Sequence, residues 1–223
     1  SIPLRDFFSS QEVLSGVIVR TPLTEVERLS EALNGSSGLS TQPRVFVKDE
    51  SLQKTGSFKM RGVYYEAYRA IEKVLLNHLR GLEWFVGDLP AYLLLVTQST
   101  GNHAIALTHA VPLAVQNLRK QYRDADTANF LDKVRARVFA IRSIVPEVMR
   151  QMRIVSGDEV QTGFADYEEA TQARKKLTRE LGPLAEYMTH AGRDIRIGHG
   201  SAALETDEQL RDAGVDSDQK VVL

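Results

Sequence analysis

The sequence predicts an α/β fold with open, largely parallel sheets and flanking helices. Short apolar runs such as Val45-Phe46-Val47 and Tyr92 to Val96 alternate along the chain with stretches of helical period. In one of these stretches, an apolar stripe repeats every four residues from Val63 to Leu75. Strands that alternate with helices indicate βαβ units and therefore a mostly parallel sheet. The 223 residues, 43% of them hydrophobic, are enough for one or two domains with a sizeable core.

The composition limits the classes of function. The formal charge is −1, from 28 basic and 29 acidic residues, so no basic excess favours nucleic acid or an anionic membrane as partner. The chain has no cysteine, which excludes disulfides, thiolate zinc sites and iron–sulfur ligation and suits a reducing, cytoplasmic compartment. The apolar run Leu93 to Val96 is too short to span a bilayer, and the first residues carry no secretory signal. We expect no nucleic-acid, membrane or metal partner.

The N-terminal part is predicted to contain short helices and one strand. Residues 1–33 indicate two helical pieces around an extended Val17-Ile18-Val19, with a break at Thr21-Pro22-Leu23. Residues 34–43, NGSSGLSTQP, are typical of a turn-rich surface loop. The strand at Val45 follows this loop.

Lys59 lies near the start of the helix that follows this strand, within the segment QKTGSFKMRG. Gly56 permits a turn, and Ser57 is a candidate N-cap. The positive end of the helix dipole and the nearby Arg61 both favour a neutral lysine amine. A neutral amine is the form that attacks a carbonyl, as a Schiff-base lysine must. Local physics alone favours the alternative, a solvated lysine at a helix start.

Residues 99–103 lie between the end of the strand Tyr92 to Val96 and a helix predicted from Ala104. Ligands bind at this edge of open α/β sheets, and free N–H groups at a helix start accept an anion such as a carboxylate. The alternative is an ordinary strand-to-helix turn that Ser99 and Asn102 cap.

The second half of the chain continues the alternation. A strand is predicted over Val138 to Val145, followed by a helix over residues 146–155 that begins at a proline. Asp166 and Glu169 have the spacing of a capping box ahead of another helix, which Gly182-Pro183 ends.

Three segments resemble the pyridoxal-phosphate enzymes of the serine/threonine dehydratase and serine racemase type, and they follow one another in the order found in that family. The fold of these enzymes is tryptophan synthase beta-like. Val45 to Gly62, VFVKDESLQKTGSFKMRG, resembles the cofactor-lysine segment of this family. Ser99 to His103, STGNH, resembles its substrate-carboxylate loop. Gly198 to Glu205, GHGSAALE, resembles a segment that usually reads Gly-Gln-Gly-Thr and ends in Glu, with His199 in place of the glutamine.

The resemblance implies pyridoxal 5′-phosphate as cofactor and a small amino acid as substrate. Lys59 would form the Schiff base with the cofactor and take the Cα proton of the substrate. Phe58 would border the cofactor ring, and Asn102 would hydrogen-bond its 3′-oxygen. The substrate carboxylate would be held by Ser99, Thr100, Gly101, Asn102 and His103.

The implied activity is that of a dehydratase, an ammonia-lyase that converts L-serine or L-threonine to a 2-oxo acid and ammonia. Thr100 stands where racemases of the family carry a serine as second proton carrier, and it is a candidate catalytic residue. Its methyl group crowds that face, which favours a dehydratase over a racemase, although both stay open. A truncated or degenerate relative that binds a partner or ligand without turnover is a further alternative.

This last alternative comes from residues 220–223, KVVL, which resemble the strand leading into the family's glycine-rich phosphate loop. Gly198-His199-Gly200-Ser201 is the Gly-rich turn that remains to hold a phosphate. We expect this polypeptide alone to bind the cofactor weakly. We also expect the unpaired edge of its last strand to invite another chain, either a second copy in a homo-oligomer or a polypeptide that supplies the rest.

The resemblance also implies two domains. The large cofactor-lysine domain would comprise residues 1–91 and 188–223, and the small substrate-loop domain residues 92–187, with Lys59 facing the loop across the cleft between them. Two segments, 72–91 and 115–137, are longer than the family pattern. We predict a packed turn around Trp84 in the first and a charged, solvated helix in the second.

Overall fold

The structure is a computed structural model that describes residues 1–37, 44–81, 93–155, 158–215 and 221–222. The α-helices within these ranges are Leu4–Leu14 (α1), Glu27–Ser37 (α2), Lys59–Leu79 (α3), Asn102–Gln121 (α4), Ala125–Leu131 (α5), Pro146–Gln151 (α6), Tyr167–Leu181 (α7) and Arg193–Asp212 (α8). The strands are Leu23–Glu25 (β1), Arg44–Lys48 (β2), Leu93–Gln98 (β3), Val134–Ile141 (β4), Glu159–Phe164 (β5), Ala185–Tyr187 (β6) and Val221–Val222 (β7). The predicted packed turn around Trp84 lies outside the described residues.

The strands form two sheets, which confirms the predicted α/β class. The larger sheet has the order β5-β4-β3-β6, and all of its strands are parallel. In the smaller sheet β2 pairs antiparallel with β1 and parallel with β7. The smaller sheet lies in the segments predicted for the large domain and the larger sheet in those predicted for the small one. The division into two domains stays a prediction.

The main core surrounds α3, whose apolar residues are buried along most of its length. The predicted stripe from Val63 to Leu75 is confirmed, since Val63, Ala67, Ile71 and Leu75 are fully buried. They pack in one cluster with apolar residues of α4, β3 and β4. Burying such side chains contributes roughly 1.5–3 kcal/mol each, so α3 is a rigid base for the residues at its start. Within the described ranges, no helix combines the length and apolar character needed to cross a lipid bilayer.

Helix α8 crosses α3 at very close range. A Cβ atom on Gly198 would lie 2.5 Å from the Arg61 carbonyl oxygen and 2.7 Å from the Gly62 Cα. Only glycine allows the two backbones to approach in this way. The prediction of a Gly-rich turn at Gly198-His199-Gly200-Ser201 is therefore wrong, because these residues lie inside α8 and two of them serve helix packing.

Several other boundaries differ from the sequence prediction. Helix α2 continues to Ser37, so residues 34–37 are helical rather than loop. The extended segment predicted at Val17 to Val19 is wrong, because the N–H groups of Val17 and Ile18 both donate to the Leu14 carbonyl and close the end of α1. In the long segment 115–137, the helical prediction is confirmed for residues 115–121 and 125–131 and wrong from Val134 onward.

Two later elements differ in their bounds from the prediction, whereas the predicted ends of α7 agree with the structure. Strand β4 begins at Val134 rather than Val138, and α6 ends at Gln151 rather than near residue 155. The capping of α7 is confirmed, since the Asp166 carboxylate accepts a hydrogen bond from the Glu169 N–H at 2.8 Å. Gly182, with φ of 53°, ends this helix as predicted.

Candidate active site

Lys59 is the first residue of α3 and lies against the ring of Phe58. The Lys59 Nζ atom is 4.7 Å from the ring centroid, and Phe58 is 44% exposed. The predicted N-cap at Ser57 is wrong, because Phe58 occupies the N-cap position and makes no side-chain cap. Gly56, with φ of 70°, provides the turn that brings the chain into the helix.

Arg61, two residues into the helix, is fully buried between two carboxylates. Its Nε and Nη2 atoms donate to Glu50 at 2.7 and 2.8 Å, and its Nη1 and Nη2 atoms each donate to Glu205 at 2.8 Å. Nη1 also donates to the Ser201 hydroxyl at 3.1 Å. Burial alone would lower the pKa of Arg61, but these carboxylates outweigh it and raise the pKa. Arg61, Glu50 and Glu205 thus form a charge-compensated cluster, which we call the clamp. Arg61 is therefore not a free cation beside Lys59.

Lys48 extends this clamp to the end of β2. Its Nζ atom donates to Glu205 at 2.9 Å, to the Gln209 side chain at 2.7 Å and to the Thr21 carbonyl at 2.8 Å. The network therefore ties α8 to the strand and the loop that precede Lys59. Charge-assisted bonds of this kind fix geometry as well as contribute energy.

His199, on α8, lies beside Phe58 and is held as a neutral imidazole. Its Nδ1 atom accepts a hydrogen bond from the Gly62 N–H at 3.1 Å, so the proton of the neutral ring is on Nε2. The His199 and Phe58 ring centroids are 4.9 Å apart. Burial lowers the pKa of His199 to about 4, and the positive charge of Lys59 acts in the same direction.

His103 and His190 form a stacked pair near the same lysine. Their ring centroids are 4.0 Å apart with an interplanar angle of 27°, and His103 is only 3% exposed. Burial lowers the pKa of His103 to about 3, with further lowering by His190 and Lys59; the nearby Met188 backbone opposes this weakly. Burial also lowers the pKa of His190, and Lys59 adds to it. The site therefore combines one lysine with three imidazoles that stay neutral at pH 7.

The turn that carries His190 is fixed by a buried carboxyl group on α3. Glu66 Oε1 accepts hydrogen bonds from the Thr189 N–H at 3.3 Å and the Thr189 hydroxyl at 3.1 Å. The Gly192 N–H in turn donates to the Thr189 hydroxyl at 2.6 Å. Burial raises the pKa of Glu66 to about 7, and the negative charges of Asp194 and Glu186 add to this.

The loop of residues 99–103 joins the carboxyl end of β3 to α4, as predicted. The Ser99 N–H donates to the Phe139 carbonyl at 3.0 Å, and the Ser99 hydroxyl accepts from the Gly101 N–H at 3.3 Å. Thr100 is half-buried and Asn102, the first residue of α4, is exposed. The Asn102 N–H group has no intrahelical acceptor at this end of the helix, so it is available to an anion.

The structure brings only part of the predicted site together. Lys59, Phe58 and His103 share one region, which His190 and His199 complete. No hydrogen bond between described residues joins this group to the side chains of residues 99, 100 and 102. The roles assigned to these residues stay predictions. Sequence reasoning missed His190 entirely, because a single histidine in a short turn has no local signature; its stacking partner is 87 positions away in the chain.

Several buried polar atoms without hydrogen-bond partners belong to residues next to Lys59 in the chain or to histidines on which its charge acts. In the described part of the chain these atoms are the Thr55 and Ser57 hydroxyl oxygens, both ring nitrogens of His103, and Nε2 of His199. Buried polar groups in proteins are nearly always satisfied, so unpaired ones indicate a binding partner. The donors, the acceptors and the Phe58 ring fit a flat, polar, ring-shaped ligand that an amine can hold.

Part of the chain, including Lys59, matches a known protein family. Residues 14–112 match the family described as pyridoxal-phosphate dependent enzyme. The matched range includes Lys59, Phe58 and the 99–103 loop. The predicted resemblance to this family, whose members depend on pyridoxal phosphate, is therefore confirmed over residues 14–112.

This chain is also similar to individual pyridoxal-phosphate enzymes and to related solved structures. L-Threonine ammonia-lyase of Thermotoga maritima is 34% identical over 115 residues, which are 52% of this chain and 22% of the relative. Maize serine racemase has a TM-score of 0.65 at 19% identity, over 94% of this chain and 50% of that chain. The processed form of threonine deaminase isoform 2 from Solanum lycopersicum has a TM-score of 0.59 at 20% identity, over 95% and 48%. These two structures share the fold, and the chain spans about half of their length.

Proposed function

We propose that the chain binds pyridoxal 5′-phosphate at Lys59 and carries the lysine part of an ammonia-lyase site for L-serine or L-threonine. The observation that carries this proposal is the group of unpartnered, buried polar atoms around an amine at the start of α3. The similarity of residues 14–112 to pyridoxal-phosphate dependent enzymes supports the choice of cofactor. The relative with 34% identity, an L-threonine ammonia-lyase, supports the reaction type.

Four side chains would hold the cofactor. Lys59 would attach it through Nζ, and Phe58 would flank its ring. The Ser57 hydroxyl, buried and unpartnered, would donate to one of its oxygens, and the Asn102 amide would hydrogen-bond its 3′-oxygen. When bound, the cofactor supplies the electron sink that stabilises negative charge on the substrate Cα.

The substrate would lie between the start of α4 and Lys59. The N–H groups at the start of α4, with the Ser99 and Thr100 hydroxyls, would hold the carboxylate, as helix N-termini do for anions. The Lys59 amine would take the Cα proton, and the β-hydroxyl would leave as water. Hydrolysis then releases the 2-oxo acid and ammonia. Because His103 is neutral, it adds no positive charge that would draw the carboxylate away from these donors.

Thr100 favours elimination over racemisation. Racemisation needs a second proton carrier on the face opposite Lys59, and the methyl group of a threonine crowds that face. We therefore assign Thr100 to the carboxylate and hold Lys59 to be the proton-transfer group.

Reductive labelling tests the proposal. The chain is mixed with pyridoxal 5′-phosphate, reduced with borohydride and analysed by peptide mass spectrometry, with Lys54→Ala as matched control because Lys54 is exposed on the same loop. We expect the adduct on Lys59 in the original chain and in the control, and none in Lys59→Ala. An adduct on another lysine with Lys59 unmodified would contradict the cofactor site.

Turnover is measured separately, as 2-oxo acid released from L-serine and L-threonine with added cofactor. Labelling at Lys59 without any release from either amino acid would refute turnover by this chain alone while leaving the cofactor site in place. This outcome would favour the alternative of a binding protein without turnover.

A further inference from the structure

A cavity lies at the end of the four-stranded sheet opposite the 99–103 loop. Its volume is about 460 Å³, within the range of roughly 300–1,000 Å³ that small-molecule sites occupy. It is bounded by the second half of α4, the start of β4 and the residues after α6. Val134 pairs with Leu93 at the first position of β3, whereas the 99–103 loop follows the last, so the two sites are separated by about 16 Å of strand.

The floor of this cavity is apolar, and its rim is basic. The apolar residues are Val111, Pro112, Val115, Leu131, Val134 and Val155. Three arginines, Arg119, Arg135 and Arg153, lie around them. We call this cavity the arginine groove.

Two of these three guanidinium groups have no ion-pair partner among the residues that the structure describes. Arg119 pairs with Asp132. For Arg135 and Arg153, no carboxylate of the described residues lies within ion-pair distance. Asp158 interacts electrostatically with Arg135 without forming an ion pair, and its oxygens accept hydrogen bonds from the N–H groups of Ala136 and Val155.

Arg135 is also incompletely hydrogen-bonded. Its Nη1 atom donates to the Val134 carbonyl at 2.8 Å, whereas its Nε atom is buried without a partner in the described part of the chain. A guanidinium presents its donors in a planar fork that matches a carboxylate, sulfonate or phosphate. The rim thus carries excess positive charge and a free donor above an apolar floor.

We propose that the arginine groove binds a small organic anion with an apolar body. The anionic end would lie between Arg135 and Arg153, and the apolar part would cover Val111 and Val115. The site is independent of the proposed function at Lys59. It also gives a role to the charged segment 115–137, for which the sequence predicted only a solvated helix.

The probe for this proposal is 1-anilinonaphthalene-8-sulfonate, an apolar ring system with one sulfonate. Its uncharged counterpart, N-phenyl-1-naphthylamine, has the same rings without the anion. Fluorescence titration of both probes is carried out with the original chain, with the double variant Arg135→Gln/Arg153→Gln, and with Arg150→Gln. Arg150 is a matched control because it is exposed and pairs with Glu147 outside the groove.

We expect the double variant to bind the sulfonate at least about tenfold more weakly, since it loses hydrogen bonds to a charged group. Binding of the neutral probe should stay unchanged in that variant, and the control should bind both probes as the original chain does. Equal sulfonate binding by the double variant would overturn the proposal. Loss of sulfonate binding in Lys59→Ala would also overturn it, because the probe would then be at Lys59.

A second variant keeps the test valid if the double variant does not fold. Val115→Phe fills the groove and keeps all three arginines, so it should weaken the binding of both probes. Circular dichroism checks that this variant is folded. Unchanged binding of both probes to a folded Val115→Phe chain would contradict the site.

Discussion

Replacement of Arg61 by alanine should destabilise the protein strongly. The change leaves Glu50 and Glu205, whose side chains are 15% and 16% exposed, without the guanidinium that compensates them. Removing one partner of a buried ion pair costs about 3–5 kcal/mol. Glu205 keeps Lys48 at 2.9 Å and Glu50 keeps the Thr21 hydroxyl at 2.6 Å, which favours the lower end of that range. We therefore expect a loss of about 3 kcal/mol, a large fraction of the stability of a typical domain.

The free energy of unfolding is measured in urea at pH 7, with Arg150→Ala as control. The Arg150 and Glu147 side chains are 73% and 54% exposed, so this control should change stability by less than about 1 kcal/mol. Arg61→Met combined with Glu50→Gln should recover part of the loss, because Glu205 then keeps Lys48 at 2.9 Å and neither carboxylate is left without compensation. A cost below about 1 kcal/mol for Arg61→Ala, or no recovery in this double variant, would refute the role of the clamp.

Two further predictions concern packing and pH. Gly198→Ala should cost about 1–3 kcal/mol more than Gly200→Ala, because its Cβ would meet the Arg61 carbonyl whereas that of Gly200 meets the Phe7 ring; equal unfolding midpoints would contradict the close helix crossing. The raised pKa of Glu66 means that the folded state holds this proton more tightly than the unfolded state, so its contribution to stability falls as pH rises from about 4.5 to about 7. Glu66→Gln should therefore gain stability relative to the original chain between pH 5 and pH 8 in urea titrations, and a constant difference would show that Glu66 does not titrate there.

Local signals predict the elements whose patterns are strong over a short stretch. The four-residue stripe of α3 and the apolar run of β3 are both buried as expected. The capping pair ahead of α7 also follows from residues three positions apart. In each case the decisive interactions lie within one element or its immediate neighbour, so the sequence contains them directly.

The errors come from contacts between distant segments. The glycines of residues 198–201 indicate a turn on their own, but the approach of α3 from 137 positions away makes them part of a packed helix. Ser57 is a good N-cap by residue type, yet its hydroxyl is buried without making the cap. In the same way, the stacking of His103 on His190 depends on the sheet that brings β3 next to β6.

The hydrogen bond from the Gly62 N–H to His199 Nδ1 shows what a histidine can do at position 199 in place of a glutamine. Because Nδ1 accepts and Nε2 carries the proton, the neutral ring offers one acceptor and one donor on a flat group. A glutamine amide offers the same pair, so the histidine that stands in place of the usual glutamine is a conservative exchange in hydrogen-bonding terms. The two residues differ in one respect, since an imidazole can gain a proton and an amide cannot. Burial places that event at a pH of about 4, and below it the acceptor is lost. The exchange therefore gives this position an acid limit that a glutamine does not have.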